Sequence, residues 1–507
     1  MGALLTAMRR RPWRAAFLVG AAVVVVLAAL ALTRLQGMPR ACRGCPNVIV
    51  FETDDQTVAD MAALPRVRSL IGRQGVTFDN SFVNLSECCP SRATFMTGQY
   101  AHNHGVLSNH PPDGGFYRLN SDNTLAVWMH DAGYRTVMIG KYLNDYGTKG
   151  PDLIPPGWDD WNAAVAYPNE KDDDAQQGND YFLSYYRKLY NRNGRIVRLP
   201  PGLYRTDADA ATARAAIRSA ARSSQPFFMW LPFVAAHQGT PVEPDDPPDV
   251  RTPAVAPKYR DHFRSLPLPR PPNFNEADIS DKPQVVRRAR LTPEKQRAFR
   301  ELFQQRREAL LSVDAAVASI ISTLRKTGQL AHTLIIFTSD NGFMLGEHRL
   351  GPRQEYIYEP AIRVPLLMRG PGIPHDQHRS QMVINADLAP TIIEAAHATA
   401  GLPVDGRSLL PLIRNPHMTY RRDLLIMVGR AFGKRAFWGL RTRRYAYAEY
   451  RKGQTELYDL RHDPWELTNR ADDPRYARLR ARLHAELGRL RHCRGKACSS
   501  GPITPPS

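Results

Sequence analysis

Four segments of the chain share one pattern, an apolar strand-like run that stops abruptly at polar residues. They are Val48–Thr53 before Asp54-Asp55, Thr136–Ile139 before Gly140-Lys141, Phe227–Phe233 before His237, and Thr333–Thr338 before Ser339-Asp340-Asn341-Gly342. A continuous rather than alternating apolar run marks a strand covered on both faces. Helix-like stretches lie between them: Val58–Ile71, Thr124–Ala132, Asp207–Arg222, and a long one from Thr292, a capping residue before Pro293, to about Arg325. This alternation predicts an α/β fold with a large, mostly parallel sheet flanked by helices. Ligands of such sheets gather beyond the carboxyl ends of the strands, so all four polar clusters are expected on one rim.

The stretch Thr240–Pro283, rich in Pro and Asp, reads as a long surface excursion of the kind that shapes a cleft. After about residue 400 the texture changes. Phe437–Thr442, Arg444–Tyr450 and Thr455–Leu460 read as short antiparallel strands, followed by a basic helix, Pro474–Leu490, and a frayed tail. The reading divides the chain into a basic cytoplasmic segment 1–14, an apolar anchor or signal 15–33, a linker 34–46, a main domain 47–400, a smaller antiparallel subdomain 401–498 and a tail 499–507.

Composition narrows the class of protein. With 43% hydrophobic and 23% charged residues, and 34 Gly against 41 Pro in 507 residues, collagen, coiled coil and wholesale disorder are excluded. The 68 Lys and Arg against 49 Asp and Glu, a net charge of +19, favour anionic partners such as anionic lipid or a sulfated or phosphorylated substrate. Nucleic acid is not expected, because the basic residues are dispersed and no recognition module is present. Arg9, Arg10, Arg11 and Arg14 precede the apolar run Ala15–Leu32, which as a helix reaches roughly 27 Å, nearly a bilayer. The same pattern describes a signal peptide, with Ala29-Leu30-Ala31 as a cleavage site. Under either reading the protein is exported, held to the membrane by its N-terminal helix or secreted after cleavage.

The six cysteines fall as Cys42 and Cys45, Cys88 and Cys89, Cys493 and Cys498. In an exported protein the close outer pairs suggest small disulfide loops, Cys493 with Cys498 among them. Zinc is the rival for the outer four, although no His has companion ligand spacing. Cys88 and Cys89 cannot easily bridge each other.

Taken singly, the polar clusters have bland readings: an Asp-Asp pair or Asp-Asn-Gly as a turn, Lys141 as a solvated lysine, His237 as a core histidine. On one rim they become a hard-oxygen set, with three carboxylates and one amide oxygen suited to Ca²⁺ or Mg²⁺. Beside such a cation Lys141 reads as an anion binder and His237 as a proton donor.

The stretch Cys88-Cys89-Pro90-Ser91-Arg92 with the later Thr97-Gly98 resembles the signature of the formylglycine-dependent sulfatases. The resemblance extends over most of residues 47–498. It takes in Asp54-Asp55-Gln56, Gly140-Lys141-Tyr142-Leu143, Ala236-His237, Ser339-Asp340-Asn341-Gly342 and Glu456-Leu457-Tyr458-Asp459-Leu460. Finer features are similar to the N-acetylglucosamine-6-sulfatase branch: the doubled Cys88-Cys89, His102-Asn103-His104, Asn273-Phe274-Asn275 and Cys493 to Cys498. The resemblance implies an alkaline-phosphatase-like fold, with 47–400 as the catalytic domain. It implies Cys88 oxidised to formylglycine by a formylglycine-generating enzyme, and one divalent cation, most simply Ca²⁺, held by Asp54, Asp55, Cys88, Asp340 and Asn341. Cys88, Arg92, Lys141 and His237 are then the catalytic residues, and Lys141, His237 and Arg353 the substrate-binding ones. Arg353 marks a departure. The family places a second sulfate-binding lysine four residues before the Tyr of a Tyr-Glu pair, where this chain has Gln354 ahead of Tyr358-Glu359, with Arg353 beside it as a substitute of different geometry.

The implied chemistry is hydrolysis of a sulfate monoester on a sulfated carbohydrate, expected to be 6-O-sulfo-N-acetylglucosamine. One hydroxyl of the hydrated aldehyde attacks sulfur, His237 protonates the departing alcohol, and the second hydroxyl expels sulfate. The rivals are an arylsulfatase or phosphonate monoester hydrolase on the same scaffold, and a catalytically silent protein that binds sulfated glycan.

Overall fold

The four continuous apolar runs become four neighbouring strands at the centre of a ten-stranded sheet. The structure is a computed structural model that describes residues 44–166, 184–186, 189–239, 243–420 and 423–498. The segments 1–14 and 15–33, the linker as far as 43 with Cys42, and the tail 499–507 lie outside the described residues. Among the described residues no helix is long and apolar enough to cross a membrane.

In chain order the strands of this sheet are β1 (Asn47–Thr53), β2 (Val76–Phe82), β3 (Arg135–Lys141), β4 (Asp160–Ala164) and β5 (Leu189–Arg192). They continue with β6 (Arg195–Arg198), β7 (Phe227–Pro232), β8 (Thr333–Ser339), β9 (Leu366–Arg369) and β10 (Gln377–Ile384). Their order is β10-β2-β9-β8-β1-β7-β3-β4-β5-β6. The central four, β8-β1-β7-β3, are mutually parallel. Antiparallel pairs occur at β8/β9, β2/β9, β4/β5 and β5/β6, which makes the sheet mixed but mostly parallel. Strands β1 and β8 run in register from Asn47↔Thr333 to Thr53↔Ser339, so Asp54 and Asp340 leave the sheet side by side.

Among the described residues six longer helices surround the sheets: α1 (Cys88–Thr97), α2 (Leu125–Asp131), α3 (Arg205–Ala220), α4 (Pro293–Lys326), α5 (Leu388–Ala396) and α6 (Ala477–Leu490). Val48 and Val50 of β1 pack into one apolar cluster with Ala93 of α1, Met129 of α2 and Ile392 of α5. Ile49 and Phe51, on the opposite face, join Ile217 of α3 and Val313, Val317 and Ile320 of α4. Every residue of the strand is therefore buried, each large apolar side chain contributing roughly 1.5–3 kcal/mol. The run had to be continuous because helices cover both faces.

The helix-like stretch Val58–Ile71 is helical but broken once: a 3-10 helix, Val58–Ala63, is followed after Leu64 by an α-helical turn, Pro65–Val67, that runs directly into a π-helical one, Arg68–Gly72. Pro65 has no N–H to donate and disfavours the helical conformation at Leu64, whose φ and ψ are −119° and 59°. The excursion after residue 243 holds only a short 3-10 turn at Pro257–Tyr259 before α4, and lies against that helix. There Gln304 Nε2 donates to the carbonyls of Arg264 and Leu266, and Phe263 N donates to Glu308.

A second, antiparallel sheet follows, ordered β11 (Leu424–Val428), β12 (Phe437–Arg441), β13 (Tyr445–Tyr450) and β14 (Thr455–Asp459). Helix α6 covers it with Leu479, Leu483, Leu487 and Leu490, a stripe at helical spacing. That cluster also takes in Ile357, Tyr358, Met382 and Ile384. Cys493 and Cys498 form a disulfide. Cys45 is disulfide-bonded, and Cys88 and Cys89 are buried free thiols.

Gly140 shows how tightly the rim is built. Its φ is +117°, and a Cβ there would lie 2.2 Å from the carbonyl oxygen of Pro232 on the adjacent strand. Gly140→Ala is therefore expected to destabilise the protein by about 2–5 kcal/mol, combining strain with overlap against backbone. Denaturant unfolding checks this; a change below about 0.5 kcal/mol would show that the backbone yields freely at this point.

Candidate active site

Each strand end delivers its side chain to one buried cluster. Asp54 follows β1, its N–H donating to Ala235 O at 3.0 Å and its own carbonyl accepting from Ala236 N at 2.8 Å, which ties it to the chain beyond β7. Asp55 adopts a left-handed φ of 61° and donates its N–H to Asp340 Oδ1 at 3.1 Å. Lys141 ends β3, and its ammonium pairs with Asp54 Oδ2. His237 lies beyond β7, its Nε2 3.7 Å from Asp55 Oδ2.

Arg92, on α1, is the central cation. Its Nη2 donates to Asp54 Oδ2 at 3.0 Å and its Nε to Asp340 Oδ2 at 2.9 Å. Its Nη1 donates to the carbonyl of Lys141 at 2.6 Å. One guanidinium thus clamps β1, β8 and β3 together, with no exposed surface on either ion pair. Cys88, at the first turn of the same helix, places Sγ 3.4 Å from Asp54 Oδ1. Ligand atoms of Asp54, Asp55, Cys88 and His237 all lie within 4.8 Å of one another.

Burial sets the electrostatics. It would raise the Asp54 carboxyl, but Lys141, His237 and Arg92 outweigh it and hold the group at about 2. Asp55 is pushed up to about 7 by burial and then by the charge of Asp54, and Asp340 to about 6 for the same two reasons. Burial, then the carboxylate of Asp54, lifts the Cys88 thiol well above its ordinary range. Burial, then Lys141, lowers His237. His237 Nδ1 lies 2.5 Å from the carbonyl oxygen of Gln238. A carbonyl only accepts, so Nδ1 carries hydrogen and Nε2 is the nitrogen that gains or loses a proton.

The donor set fits a hard divalent cation. Asn341 Nδ2 donates to Asp55 Oδ1 at 2.6 Å and to Gly342 O at 2.9 Å, which fixes the amide orientation. Its Oδ1 is buried with no hydrogen-bond partner, an acceptor left for a metal. Asp55 and Asp340, both disfavoured as anions by burial, would gain compensation from such an ion.

The structure thus brings together Asp54, Asp55, Cys88, Arg92, Lys141, His237, Asp340 and Asn341. Arg353 is exposed and lies apart from them, lining a cleft that starts at Gln238. Two residues that hold the site, Glu52 and Arg306, were not singled out from sequence, and Ser91 was read only as part of the signature. Glu52 lies within β1, pushed up to about 8 by burial, and accepts from Trp230 Nε1 at 3.0 Å. Arg306 of α4 donates to the carbonyls of Asp55 and Ala236 at 2.5 and 3.1 Å. The Ser91 hydroxyl donates to the Asp340 carbonyl. An acid inside an apolar strand was a readable signal for Glu52; nothing local marks Arg306.

The parallel sheet, its buried acidic rim and the cysteine at a helix start define a hydrolase of ester bonds to an anionic group. The chain belongs to the sulfatase family: residues 46–398 match that family, and residues 346–493 match the N-sulphoglucosamine sulphohydrolase C-terminal family. It is a sulfuric ester hydrolase. It is 30% identical to an N-acetylglucosamine-6-sulfatase of Homo sapiens, over 91% of this chain and 87% of that one. It is also 30% identical to an arylsulfatase of Volvox carteri, over 90% and 76%. Among solved structures, one in complex with its substrate D-glucosamine-2-N,6-O-disulfate superposes with a TM-score of 0.69 at 22% identity, covering 88% of this chain and 97% of that one.

Proposed function

We propose that this sulfatase hydrolyses the 6-O-sulfate of N-acetylglucosamine units, with Cys88 as the precursor of formylglycine and Asp54, Asp55, Asp340 and Asn341 holding one divalent cation, Ca²⁺ being the best fit. The observation that carries the reading is the burial of Cys88 Sγ at 3.4 Å from Asp54, beside Arg92 and Lys141 and near an unpartnered amide oxygen. As a thiol, Cys88 stays protonated at neutral pH and is a poor nucleophile, which favours its use in oxidised form. Held by Asp54, Asp55, Asp340 and Asn341, the cation would supply Lewis-acid polarisation and positive potential.

The chain's own groups do the rest. Lys141 and Arg92, with the N-terminus of α1 at Cys88, present fixed positive charge where a sulfuryl group gains negative charge. His237 Nε2, bare while burial and Lys141 keep the imidazole neutral, is the atom that would have to take up a proton and pass it to the departing alcohol; the ring is oriented by the Gln238 carbonyl, and the residue's own carbonyl accepts from Tyr185 OH at 2.7 Å. Similarity to N-acetylglucosamine-6-sulfatases supports the sugar. The basic segment and apolar run at the N-terminus, with the Cys493–Cys498 disulfide, support export and anchoring through 15–33, and the formylglycine requires a maturation enzyme.

The test compares kcat/KM for 6-O-sulfo-N-acetylglucosamine, an aryl sulfate and an aryl phosphonate ester. The sugar sulfate is expected to lead by about tenfold or more, a difference worth roughly 1.4 kcal/mol of transition-state binding. A lead by the aryl sulfate or phosphonate would replace this substrate with the rival one, and binding without sulfate release would make the protein a glycan binder.

A further inference from the structure

Three buried polar atoms near the nucleophile have no hydrogen-bond partner among the described residues. Glu87, the residue before Cys88, is 4% exposed; its Oε1 accepts from Asn109 N at 3.1 Å, and its Oε2 is left over. Asn109 is itself fixed, because its Oδ1 accepts from Cys89 N at 2.8 Å. Glu355, in the loop between β8 and β9, is also buried. Its Oε2 lies 3.7 Å from Arg435 Nη1, close enough for an ion pair, yet neither atom makes a hydrogen bond. Glu87 belongs to the same group, since its carboxyl lies within electrostatic reach of both Glu355 and Arg435.

Arg435 ends a short turn, Arg430–Arg435, just before β12 of the second sheet. Its guanidinium stands over the rings of Phe432 and Tyr356, 5.5 and 5.9 Å from their centroids, which holds Nη1 in place. Arg435 and Tyr356 also line a cleft of about 560 Å³ that takes in Gln238, the neighbour of His237. The three atoms therefore connect the start of the nucleophile's helix with a cleft beside the proton-transfer residue. Buried polar atoms are seldom left unsatisfied, and leaving one so is costly. The chemistry of the three decides what completes them. Two carboxyls disfavour an anion, and the guanidinium disfavours a cation. A hydroxyl suits both, because its O–H donates to a carboxylate oxygen while its lone pairs accept from Nη1.

We infer that Glu87, Glu355 and Arg435 recognise one neutral hydroxyl on the sugar ring that carries the scissile sulfate. The inference rests on the sugar-sulfate reading and deepens it: the charged rim reads the sulfate, the triad reads the ring, and the second subdomain supplies one of the three readers. An aryl sulfate has no such hydroxyl, so the same triad separates sugar from aryl substrates.

The experiment measures kcat/KM for 6-O-sulfo-N-acetylglucosamine and for its 3-deoxy and 4-deoxy analogues, with wild-type, Glu355→Ala and Arg435→Met protein. In the wild type one analogue is expected to fall about 100-fold or more below the parent, because the missing hydroxyl leaves the triad unpaired. In each variant that gap should shrink about tenfold or more. A merely structural role would lower all three substrates alike and leave the gap as it was, so partial misfolding cannot mimic the result. Equal kcat/KM for all three in the wild type, or a gap that either variant keeps, overturns the assignment. Absence of turnover on every sugar sulfate, with aryl sulfate still cleaved, would instead count against the sugar reading. Binding of the parent and the two analogues to Cys88→Ala protein then decides the triad: a comparable gap in affinity upholds it, and equal or absent binding overturns it.

Discussion

Cys88→Ala protein is expected to fold and to bind a sulfated sugar, yet to release no sulfate. The side chain is 1% exposed, so truncation removes one buried atom from a packed site at a cost of about 1–2 kcal/mol, which a chain with three large apolar clusters tolerates. The loss in turnover is far larger, roughly 10⁴-fold or more, because no other group near Asp54 Oδ1 can replace the nucleophilic oxygen. Cys88→Ser separates the steps further. Its hydroxyl can attack sulfur but has no second oxygen on the same carbon to expel the sulfate, so it should be sulfated at most once and stall. Cys89→Ala is the control. Cys89 packs into an apolar cluster and holds Asn109 Oδ1 only through its backbone N–H, at 2.8 Å, which alanine retains, so most activity should remain. Peptide mapping of active protein should find sulfur replaced by aldehyde oxygen at Cys88 while Cys89 keeps its thiol. Multiple turnover by Cys88→Ala, or an intact Cys88 thiol in active enzyme, would remove formylglycine from the reading.

That site was readable because its residues sit at strand ends. Strands β1, β3, β7 and β8 announce themselves by apolar runs that halt at Asp54, Lys141, His237 and Asp340, so a parallel sheet alone predicts where these residues meet. The peripheral strands carry no such signal. Strands β5 and β6 are joined by Asn193-Gly194, both with positive φ, a strong local hairpin turn, but flanking strands of four residues with Arg192, Arg195 and Arg198 hide it. Strand β9 has four residues directly after Pro365, and β2 and β10 mix buried with half-exposed or exposed positions without a regular alternation. Tertiary pairing, not local preference, makes them strands. Arg306 was hidden for a related reason. It lies on α4, far along the chain from Asp55, and only packing brings its guanidinium to that carbonyl and to the face of Phe343, 4.0 Å away.

The same burial that gathers the acids makes removal of one of them severe. Asp54 accepts from both Arg92 and Lys141, and all three side chains are fully buried. Asp54→Ala takes away one carboxylate that serves a cation and two protein charges, leaving an ammonium and part of a guanidinium uncompensated; loss of a buried partner costs about 3–5 kcal/mol. The wild type is expected to hold one divalent cation per chain by elemental analysis. Asp54→Ala is expected to hold none and to lose turnover by roughly 10³-fold or more. A gentler variant guards against mere unfolding. Asn341→Ala removes the unpartnered Oδ1 and one hydrogen bond to Asp55 but no charge, so the protein should fold, with metal affinity lowered roughly 10–100-fold and turnover recovering as the ion is added back. A metal-free variant that still turns over, or wild-type protein that is active without any divalent ion, would show that Asp54, Asp55, Asp340 and Asn341 form a purely structural ion-pair cluster around Arg92.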